Sequence, residues 1–340
     1  GPATPDPVRD SRDADPPRAG SGRYPGGSPT HAMLNFLLRR LLSTIPVLLV
    51  VAVLVFLMLR LTPGDPAAVL AGDAANTEQI AQIRATLGLD RSVPEQFAIW
   101  FGHMLSGDLG QSYYYKMPVT TLIAQRLEPT LSLALITIVI AVVVAVPLGV
   151  MAAWRFGGLL DRMLMGFSVL GFSIPVFVLA YLLIWLFSLK LGWLPVGGWN
   201  DGWRSLVLPV LVLALPNIAY ISRLTRSAMI ETLRENYVRT ARAKGIGARA
   251  VIWRHAMTGA LLPVIAYLGP ATAAIITGSI LIETIFAVPG IGRHFVDAAL
   301  ARDYPLVMGV TITYGGFLIV FNILTDVLRG WLDPRLRNDR

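Results

Sequence analysis

The sequence contains no cysteine, and this absence excludes disulfide bonds, thiolate metal sites and cysteine nucleophiles. Histidine is scarce, and no pair at the spacing of metal ligands occurs among His31, His103, His255 and His294. Charge is also low, because 15% of the residues are Asp, Glu, Lys or Arg, against about 25% in average soluble chains. With 54% apolar residues, the chain is too hydrophobic for an ordinary soluble domain.

Three motifs of enzyme chemistry are missing as well. The chain has no G-x-x-x-x-G-K-[ST] loop to cradle ATP phosphates, no H-E-x-x-H zinc motif and no G-x-S-x-G nucleophile turn. Two close charged pairs, Glu231 with Glu235 and Asp161 with Arg162, are interpreted as solvated or partner-facing charges rather than acid–base pairs. We therefore expect a protein that is not an enzyme and that has no catalytic residue, metal or cofactor of its own.

Long apolar runs are what the sequence has in abundance. Six of them come close to the roughly 20 residues that an α-helix needs to cross about 30 Å of hydrocarbon. They lie at residues 42–61, 130–153, 163–189, 206–222, 261–285 and 306–328. The sequence therefore predicts an all-α integral membrane protein with six transmembrane helices.

The basic residues are distributed unevenly between the two sides of such a bundle. With the N-terminus inside, the inner segments hold 20 Lys and Arg residues and the outer loops hold 8. Because inner loops carry the excess of Lys and Arg, we expect both termini to lie in the cytoplasm. This distribution also explains the net charge of +8 without a nucleic-acid partner, whereas membrane lipid is an expected partner.

The most basic inner segment, residues 223–263, carries eight of the 29 Lys and Arg residues. Each would cost about 2.5–3.5 kcal/mol at a bilayer centre, so this segment is not a span. Its apolar residues recur at helical spacing, at Ile230, Leu233, Tyr237 and Ala241. Gly245 and Gly247 then predict the end of this helix, and a second short helix is expected at 248–257.

Two interpretations of this helix–glycine–helix segment are open from the pattern alone. Its apolar face can lie in a groove of a partner protein, with the basic residues around it. Alternatively, it can rest on the membrane surface as an interfacial helix bound to anionic headgroups.

Several motifs resemble one known family. The stretch YVRTARAKG followed by HAMTGALLPV resembles the cytoplasmic coupling loop, or "EAA" loop, of ABC importer permeases, and most of all the B-type subunit of the peptide and opine/nickel branch. One departure is that Arg239 and Thr240 replace the first two residues of that pattern. Further matches follow in family order, namely TPGDP at 62–66, LGLD at 87–90, GDLG at 107–110, ETIFAVPGIGR at 283–293 and RDYPLV at 302–307.

The resemblance implies a type I ABC importer permease with the MetI-like fold, in the bacterial inner membrane. It also implies a second homologous permease subunit, two ATP-binding cassette ATPase subunits that hold ATP and Mg, and a periplasmic or lipid-anchored substrate-binding protein. The ATPase-coupling residues that it implies are Leu233, Tyr237, Arg239, Thr240, Ala241, Arg242, Ala243, Lys244 and Gly245.

The expected cargo is a dipeptide, an oligopeptide or a glutathione-like peptide, with nickel or opines as the alternative within the same family. The short 190–205 loop resembles the glutathione-type permeases. A stand-alone secondary transporter is less favoured, because no span carries a cluster of ionisable residues for a proton or sodium relay. A membrane enzyme would need a polar cluster facing a cavity, which the sequence does not suggest.

The outer loop 62–129 is long enough to form a small cap. We expect one helix that is N-capped by Thr77 and ends at Gly88, and another that opens at Pro94 and ends at Gly107. The loop either connects the spans and packs over them, or serves as a platform for the external binding protein. In the second case, Trp193, Trp199, Trp203 and the 289–292 turn would form its rim.

Few charges lie in or beside the spans. Glu283, near the outer end of the fifth span, is a candidate gate or pathway residue, because ionisable groups inside membranes are often functional. Its position also allows it to reach water, as is expected for Arg60, Asp326 and Arg329.

These observations predict four regions. Residues 1–32 form a disordered tail or an added leader, with Met33 as the expected natural start. Residues 33–129 comprise the first span and the periplasmic subdomain. Residues 130–328 form the transmembrane core with the coupling loop at 223–260, and 329–340 form a cytoplasmic tail.

Overall fold

The computed structural model describes the backbone of residues 29–332 except 62 and 73, and the side chains of residues 42–330 except 62, 73 and 172. This part of the chain is α-helical, as predicted, apart from turns and an isolated β-bridge between Gln111 and Pro118. Most of the two predicted tails lies outside the described residues. Helix starts at Pro29 and ends at Leu332, so it includes a few residues of each predicted tail.

Thirteen helices follow one another along the described chain. They are α1 (Pro29–Leu61), α2 (Pro66–Ala71), α3 (Thr77–Thr86), α4 (Val93–Leu105), α5 (Val119–Trp154), α6 (Leu159–Ser173), α7 (Val176–Leu183, continued by a π-helix at Ile184–Lys190), α8 (Trp203–Thr232), α9 (Asn236–Ala243), α10 (Ala248–Ala250, continued by a π-helix at Val251–Ala256), α11 (Met257–Ile285), α12 (Ile291–Leu300) and α13 (Tyr304–Leu332).

Five of the helical segments are long and apolar enough to cross a membrane, and α6 with α7 makes a sixth crossing when the pair is counted as one. This confirms the predicted number of spans. The third crossing, however, is not a single straight helix, because α6 and the segment Val176–Lys190 meet at 104°. The break has a local cause: Pro175 lacks an N–H and forces an extended backbone on Ile174, whose ψ is 117°.

The fourth crossing is longer than predicted. Helix α8 continues ten residues past position 222, so Arg223 and Arg226 lie on it rather than in a loop. Its extension is held by burial at helical spacing, since Thr225, Ala228, Met229 and Thr232 all face the interior. Tertiary packing therefore outweighs the polar composition that suggested an earlier end.

The predicted outer helices are present as α3 and α4. The cap of α3 is Asn76 rather than Thr77: the Asn76 side chain accepts from the Gln79 amide at 2.8 Å, and the Gln79 side chain accepts from the Asn76 amide at 3.0 Å. Pro94 lies in the first turn of α4, and the chain turns at Gly107 with a φ of +83° after that helix ends, both as predicted.

Close helix contacts are made at small residues. A methyl group at Gly149 of α5 would lie 2.5 Å from the Ser222 carbonyl oxygen of α8. A methyl group at Gly269 of α11 would lie 2.5 Å from the Thr325 hydroxyl of α13. Such close approaches at glycine are typical of helix packing within membranes, and they bring α5 against α8 and α11 against α13.

The first crossing is attached to the last one and to the outer helices through aromatic rings. Phe56 of α1 packs with Tyr304 of α13, and its ring centroid is 5.2 Å from that of Phe97 in α4. The guanidinium of Arg60 lies 5.2 Å from the ring centroids of both Phe56 and Tyr304. We call this end of the bundle the α4 end, and the opposite end, formed by residues 154–158, α9 and 244–256, the α9 end.

Candidate functional site

The predicted apolar face from Ile230 to Ala241 is divided between two helices. Helix α8 stops at Thr232, Glu235 is extended with a ψ of 148°, and α9 begins at Asn236. The expectation of one continuous helix was therefore wrong. No glycine or proline marks this turn. The helix breaks here because the turn allows the apolar residues of α9 to pack against the bundle.

The inner side of α9 belongs to a compact hydrophobic cluster at the α9 end. Val238 is 0% exposed and Ala241 is 6% exposed. The cluster, here called the α9 cluster, joins four helices and consists of Val150, Ala153, Ala228, Met229, Val238, Ala241, Val251, Ile252, Ala256, Met257 and Ala260. Leu233 is partly buried against it. Helix α9 is thus fixed to α5, α8 and the segment that leads into α11.

The side of α9 that faces away from the bundle is exposed and positively charged. Exposed positions include three cations and two small residues, namely Arg239, Thr240, Arg242, Ala243 and Lys244. Tyr237 is 47% exposed, and its hydroxyl would lie 3.1 Å from a methyl group at Gly259. Of the nine predicted coupling residues, the structure turns Ala241 inward, leaves Leu233 half-buried and presents the other seven at the surface.

The end of α9 follows the predicted glycine signal. The amide of Gly245 donates to the Arg242 carbonyl at 2.9 Å, and the amide of Ile246 donates to the Ala241 carbonyl at 3.3 Å. This pair of bonds is a Schellman motif, which needs a left-handed residue, and Gly245 has a φ of +78°. Gly245 therefore reverses the chain so that Ile246 packs against the α9 cluster.

The second predicted helix, at 248–257, is not separate from the fifth crossing. One continuous helical segment of 38 residues runs from Ala248 to Ile285, with Pro263 and Pro270 inside it. The expectation of a separate short helix was wrong because the segment is buried against its neighbours along its length, at Ile252, Ala260 and Val264. Helix α9 is thus linked to the fourth and fifth crossings by short turns.

A cleft lies beside α9. Its volume is about 400 Å³, and its lining residues come from the end of α5, the turn before α9, α9 itself and the start of the fifth crossing: Trp154, Leu233, Arg242, Ile246, Ala248 and Ile252. The lining is mainly apolar with one cation at its edge. Among the described residues, no group of three His, Asp or Glu side chains lies close enough to hold a metal ion.

Asp161 is not the solvated charge that the sequence suggested. Its side chain is buried, and its carboxylate accepts from Arg226 of α8 through Nε and, at 2.9 Å, through Nη2. This expectation was wrong because the partner lies 65 positions away in the sequence rather than next to it. The ion pair connects α6 with α8 at the α9 end.

Glu283, the predicted gate or pathway residue, is fully buried near the α4 end of α11. Its carboxylate accepts from the hydroxyls of Thr130 at 2.8 Å and Ser279 at 2.9 Å, and from the Gly292 amide at 2.7 Å. Thr130 also accepts from the Ile291 amide at 2.9 Å. The carboxylate therefore binds α5, α11 and the first turn of α12 together. The expectation that Glu283 could reach water was wrong, because its oxygens are directed into the protein.

Asp303 is a buried acid that the sequence reasoning missed. It accepts from the hydroxyl of Ser112, from the amides of Tyr113 at 3.0 Å and Tyr114 at 3.2 Å, and from the Leu306 amide at 3.3 Å. Burial raises the pKa of Tyr113 to about 12, so its phenol adds no negative charge beside Asp303. The available signal was an Asp directly before a Tyr-Pro helix start, which is typical of a capping residue.

Comparison with known families and proteins agrees with this architecture. Residues 145–338 match the family described as binding-protein-dependent transport system inner membrane component. Residues 33–134 match the N-terminal component of the same kind of transport system membrane protein. Together the two matches cover nearly all of the chain after position 32.

Three relatives are similar over nearly their whole length. The chain is 45% identical over 309 residues to the probable peptide ABC transporter permease protein y4tP of Sinorhizobium fredii, covering 89% of this chain and 99% of the relative. It is 44% identical over 308 residues to the oligopeptide transport system permease protein OppB of Salmonella typhimurium, covering 90% and 100%. It is 41% identical over 306 residues to the glutathione transport system permease protein GsiC of Salmonella paratyphi A, covering 90% and 99%.

A solved structure has a similar fold. An inward-facing crystal form of the MetNI methionine ABC transporter contains a chain that superposes with a TM-score of 0.51 at 17% identity, covering 63% of this chain and 97% of that one. At this identity the likeness concerns the fold alone, and it confirms the predicted MetI-like arrangement of helices.

Proposed function

The chain belongs to the family of inner-membrane components of binding-protein-dependent transport systems, and we propose that it forms half of a translocation pathway for peptides. As a member of this family it is an ABC importer permease subunit and not an enzyme. Peptide cargo is supported by the names of three relatives, which concern peptides, oligopeptides and glutathione, at 41–45% identity.

The proposed mechanism rests on one observation: α9 has one buried apolar side and one exposed cationic side. Its inner residues Val238 and Ala241 lie in the α9 cluster, whereas its outer cations are exposed. A partner that binds the exposed side of α9 therefore acts on a helix whose buried side shares one hydrophobic cluster with residues of α5, α8 and the segment that leads into α11. An ATPase subunit supplies such a partner, with ATP and Mg held in the ATPase and none in this chain.

The energy requirement supports an external motor. Shifting a two-state equilibrium from 1:99 to 99:1 takes about 5.5 kcal/mol of differential binding. Among the described residues, no three His, Asp or Glu side chains lie close enough together to hold a metal ion. In the proposed cycle, ATP binding closes the two ATPase subunits, one of which binds α9. This movement tilts the fourth and fifth crossings and opens the path to the outside.

The full assembly that we propose contains a second homologous permease subunit, two ATPase subunits and a substrate-binding protein. The α9 end faces the cytoplasm, in agreement with the excess of basic residues there. The binding protein docks on the α4 end, where α2, α3 and α4 and the 110–118 turn form a cap over the crossings.

Tyr237→Asp tests the coupling role. This change places a negative charge at the centre of the exposed cationic surface of α9, so we expect it to reduce co-purification of the ATPase subunits at least tenfold. The matched control is Tyr237→Phe, which keeps the ring at the same half-exposed position and adds no charge. Retention of both ATPases and full uptake by the Tyr237 variant would remove α9 from the coupling mechanism.

Uptake into proteoliposomes tests the cargo. The complete transporter, with its own binding protein, should accumulate a dipeptide, an oligopeptide or glutathione in an ATP-dependent manner. Uptake of nickel or an opine in preference to all three would assign the chain to the other branch of the family. Uptake by this chain alone, driven by an ion gradient, would contradict the importer mechanism.

A further inference from the structure

The ion pair between Asp161 and Arg226 lies at the α9 end, where three segments of the chain meet. Asp161 is 4% exposed, and besides Arg226 its carboxylate accepts from the Gly157 amide at 2.9 Å. The guanidinium of Arg226 lies 5.2 Å from the ring centroid of Phe156, in the turn between α5 and α6. One buried contact therefore joins the α5–α6 turn, the first turn of α6 and the extension of α8 that leads to α9.

A second polar contact holds the same two helices further along. The hydroxyl of Ser168 in α6 donates to the Ala219 carbonyl of α8 at 3.1 Å. Positions 161 and 168 are seven residues apart on α6, and 226 and 219 are seven apart on α8 in the opposite direction. At 1.5 Å per residue, the two contacts are about 10 Å apart on a pair of antiparallel helices. Two such points prevent α6 from sliding or rotating on α8.

We propose that Asp161 and Arg226 are positioning residues of the transport cycle, which stay paired throughout it and make α6 move with α8. This inference rests on the proposed function. Movement received by α9 passes directly to α8, because only three residues separate the two helices. The ion pair then carries that movement into α6, and so into the third crossing, which has no covalent link to α9 except through α8.

Burial explains why the pair remains closed. Opening it would take the acceptor from the guanidinium and leave the carboxylate with only the Gly157 amide, in a poorly solvated site, which is strongly unfavourable. Neither side chain belongs to the exposed surface of α9, so the ATPase has no need to contact them. The pair therefore acts as a fixed connection rather than as a gate that opens and closes.

A covalent replacement of the ion pair tests this. The chain contains no cysteine, so Asp161→Cys with Arg226→Cys introduces the chain's only two thiols. In the complete transporter, before cross-linking, we expect peptide transported per ATP hydrolysed to fall at least tenfold. A short bis-methanethiosulfonate reagent that joins the two thiols should restore this ratio to at least half of the wild-type value.

The ratio separates positioning from a merely structural role, since a smaller folded fraction lowers transport and hydrolysis together. Arg226→Lys, which keeps the charge, should retain most of the coupling, and Arg162→Gln, an exposed cation next to Asp161, should retain all of it. The proposal is overturned if the cross-linked transporter is inactive, or if the ratio before cross-linking equals that of the wild type. If wild-type uptake does not depend on ATP, the proposed function itself is contradicted instead.

Discussion

Asp303 accepts a hydrogen bond from the hydroxyl of Ser112, a residue 191 positions earlier in the chain. With the amides of Tyr113 and Tyr114, this contact attaches the turn after the outer helices to the first turn of α13. The acid is fully buried, and Arg302 before it adopts a φ of +54°, which directs the chain into this position. The cap at the α4 end is thereby held against the bundle.

Replacing Asp303 with Ala should release this cap. The change leaves the buried Ser112 hydroxyl and the partly buried Tyr113 and Tyr114 amides without their acceptor. A fully buried unsatisfied group costs about 1–3 kcal/mol, and a partly buried one costs less. We expect a lower unfolding temperature and faster proteolysis within 110–118, with weaker docking of the binding protein. Asp90→Ala, at an exposed position of the same outer loop, is the control. Equal proteolysis in both variants would mean that Asp303 does not secure the cap.

Gly245 allows a matched pair of substitutions that separates backbone shape from charge. Its φ of +78° disfavours side chains, but an added Cβ would have no atom within 4 Å. Asn and Asp both tolerate left-handed backbone and both meet the same small conformational cost, below the roughly 1–2 kcal/mol of other residues. They differ in charge, and only Asp places a negative charge beside Arg242 and Lys244.

We therefore expect Gly245→Asn to retain most of the transport and Gly245→Asp to abolish it, with both variants inserted in the membrane. Uptake into proteoliposomes and co-purification of the ATPases measure the difference. Equal loss in the two variants would assign the importance of Gly245 to the backbone turn alone rather than to the cationic surface.

The features that the sequence predicted well are those with a local cause. Apolar runs of about 20 residues located the crossings, because the membrane thickness alone sets that length. Gly245 marked the end of α9, since a left-handed residue leaves a signature in a single position. Pro175 carried an equally local signal, and the break that it causes in the third crossing was available to the same reasoning.

The features that were missed depend on contacts between distant parts of the chain. The division between α8 and α9 has no glycine or proline, and it exists because Val238 and Ala241 pack against Val251 and Ile252. Likewise, Asp161 and Asp303 look like surface acids until the fold brings Arg226 and Ser112 to them. Sequence patterns describe one helix at a time and do not contain this information.

Substitutions of Glu283 can show whether its carboxylate contacts the transported peptide or stabilises the fold. Glu283→Leu leaves the Thr130 hydroxyl and the Gly292 amide without an acceptor, at about 1–3 kcal/mol for each. We expect the unfolding temperature and transport to fall together, with a smaller loss for Glu283→Gln, which keeps one acceptor oxygen. The control is Thr284→Val, an exposed neighbour whose hydroxyl bonds within its own helix.

The KM for peptide uptake by the Glu283→Gln variant distinguishes these two roles. An unchanged KM with a modest loss of stability means that Glu283 holds the first turn of α12 in place. A KM raised severalfold at wild-type stability would instead place this carboxylate in contact with the transported peptide.

The orientation of the bundle can be tested with single cysteines, because the chain has no native thiol and any label on the chain, once purified, marks the introduced position. Thr240→Cys places a thiol on the exposed side of α9, and Ser106→Cys places one at the exposed end of α4. If the basic α9 end faces the cytoplasm, a membrane-impermeant maleimide added to intact spheroplasts should label position 106 at least tenfold faster than position 240. Opening the membrane with detergent should make the two rates similar, which shows that both thiols are reactive. Labelling of position 240 in intact spheroplasts would put α9 beyond the reach of any cytoplasmic ATPase and would refute the coupling mechanism.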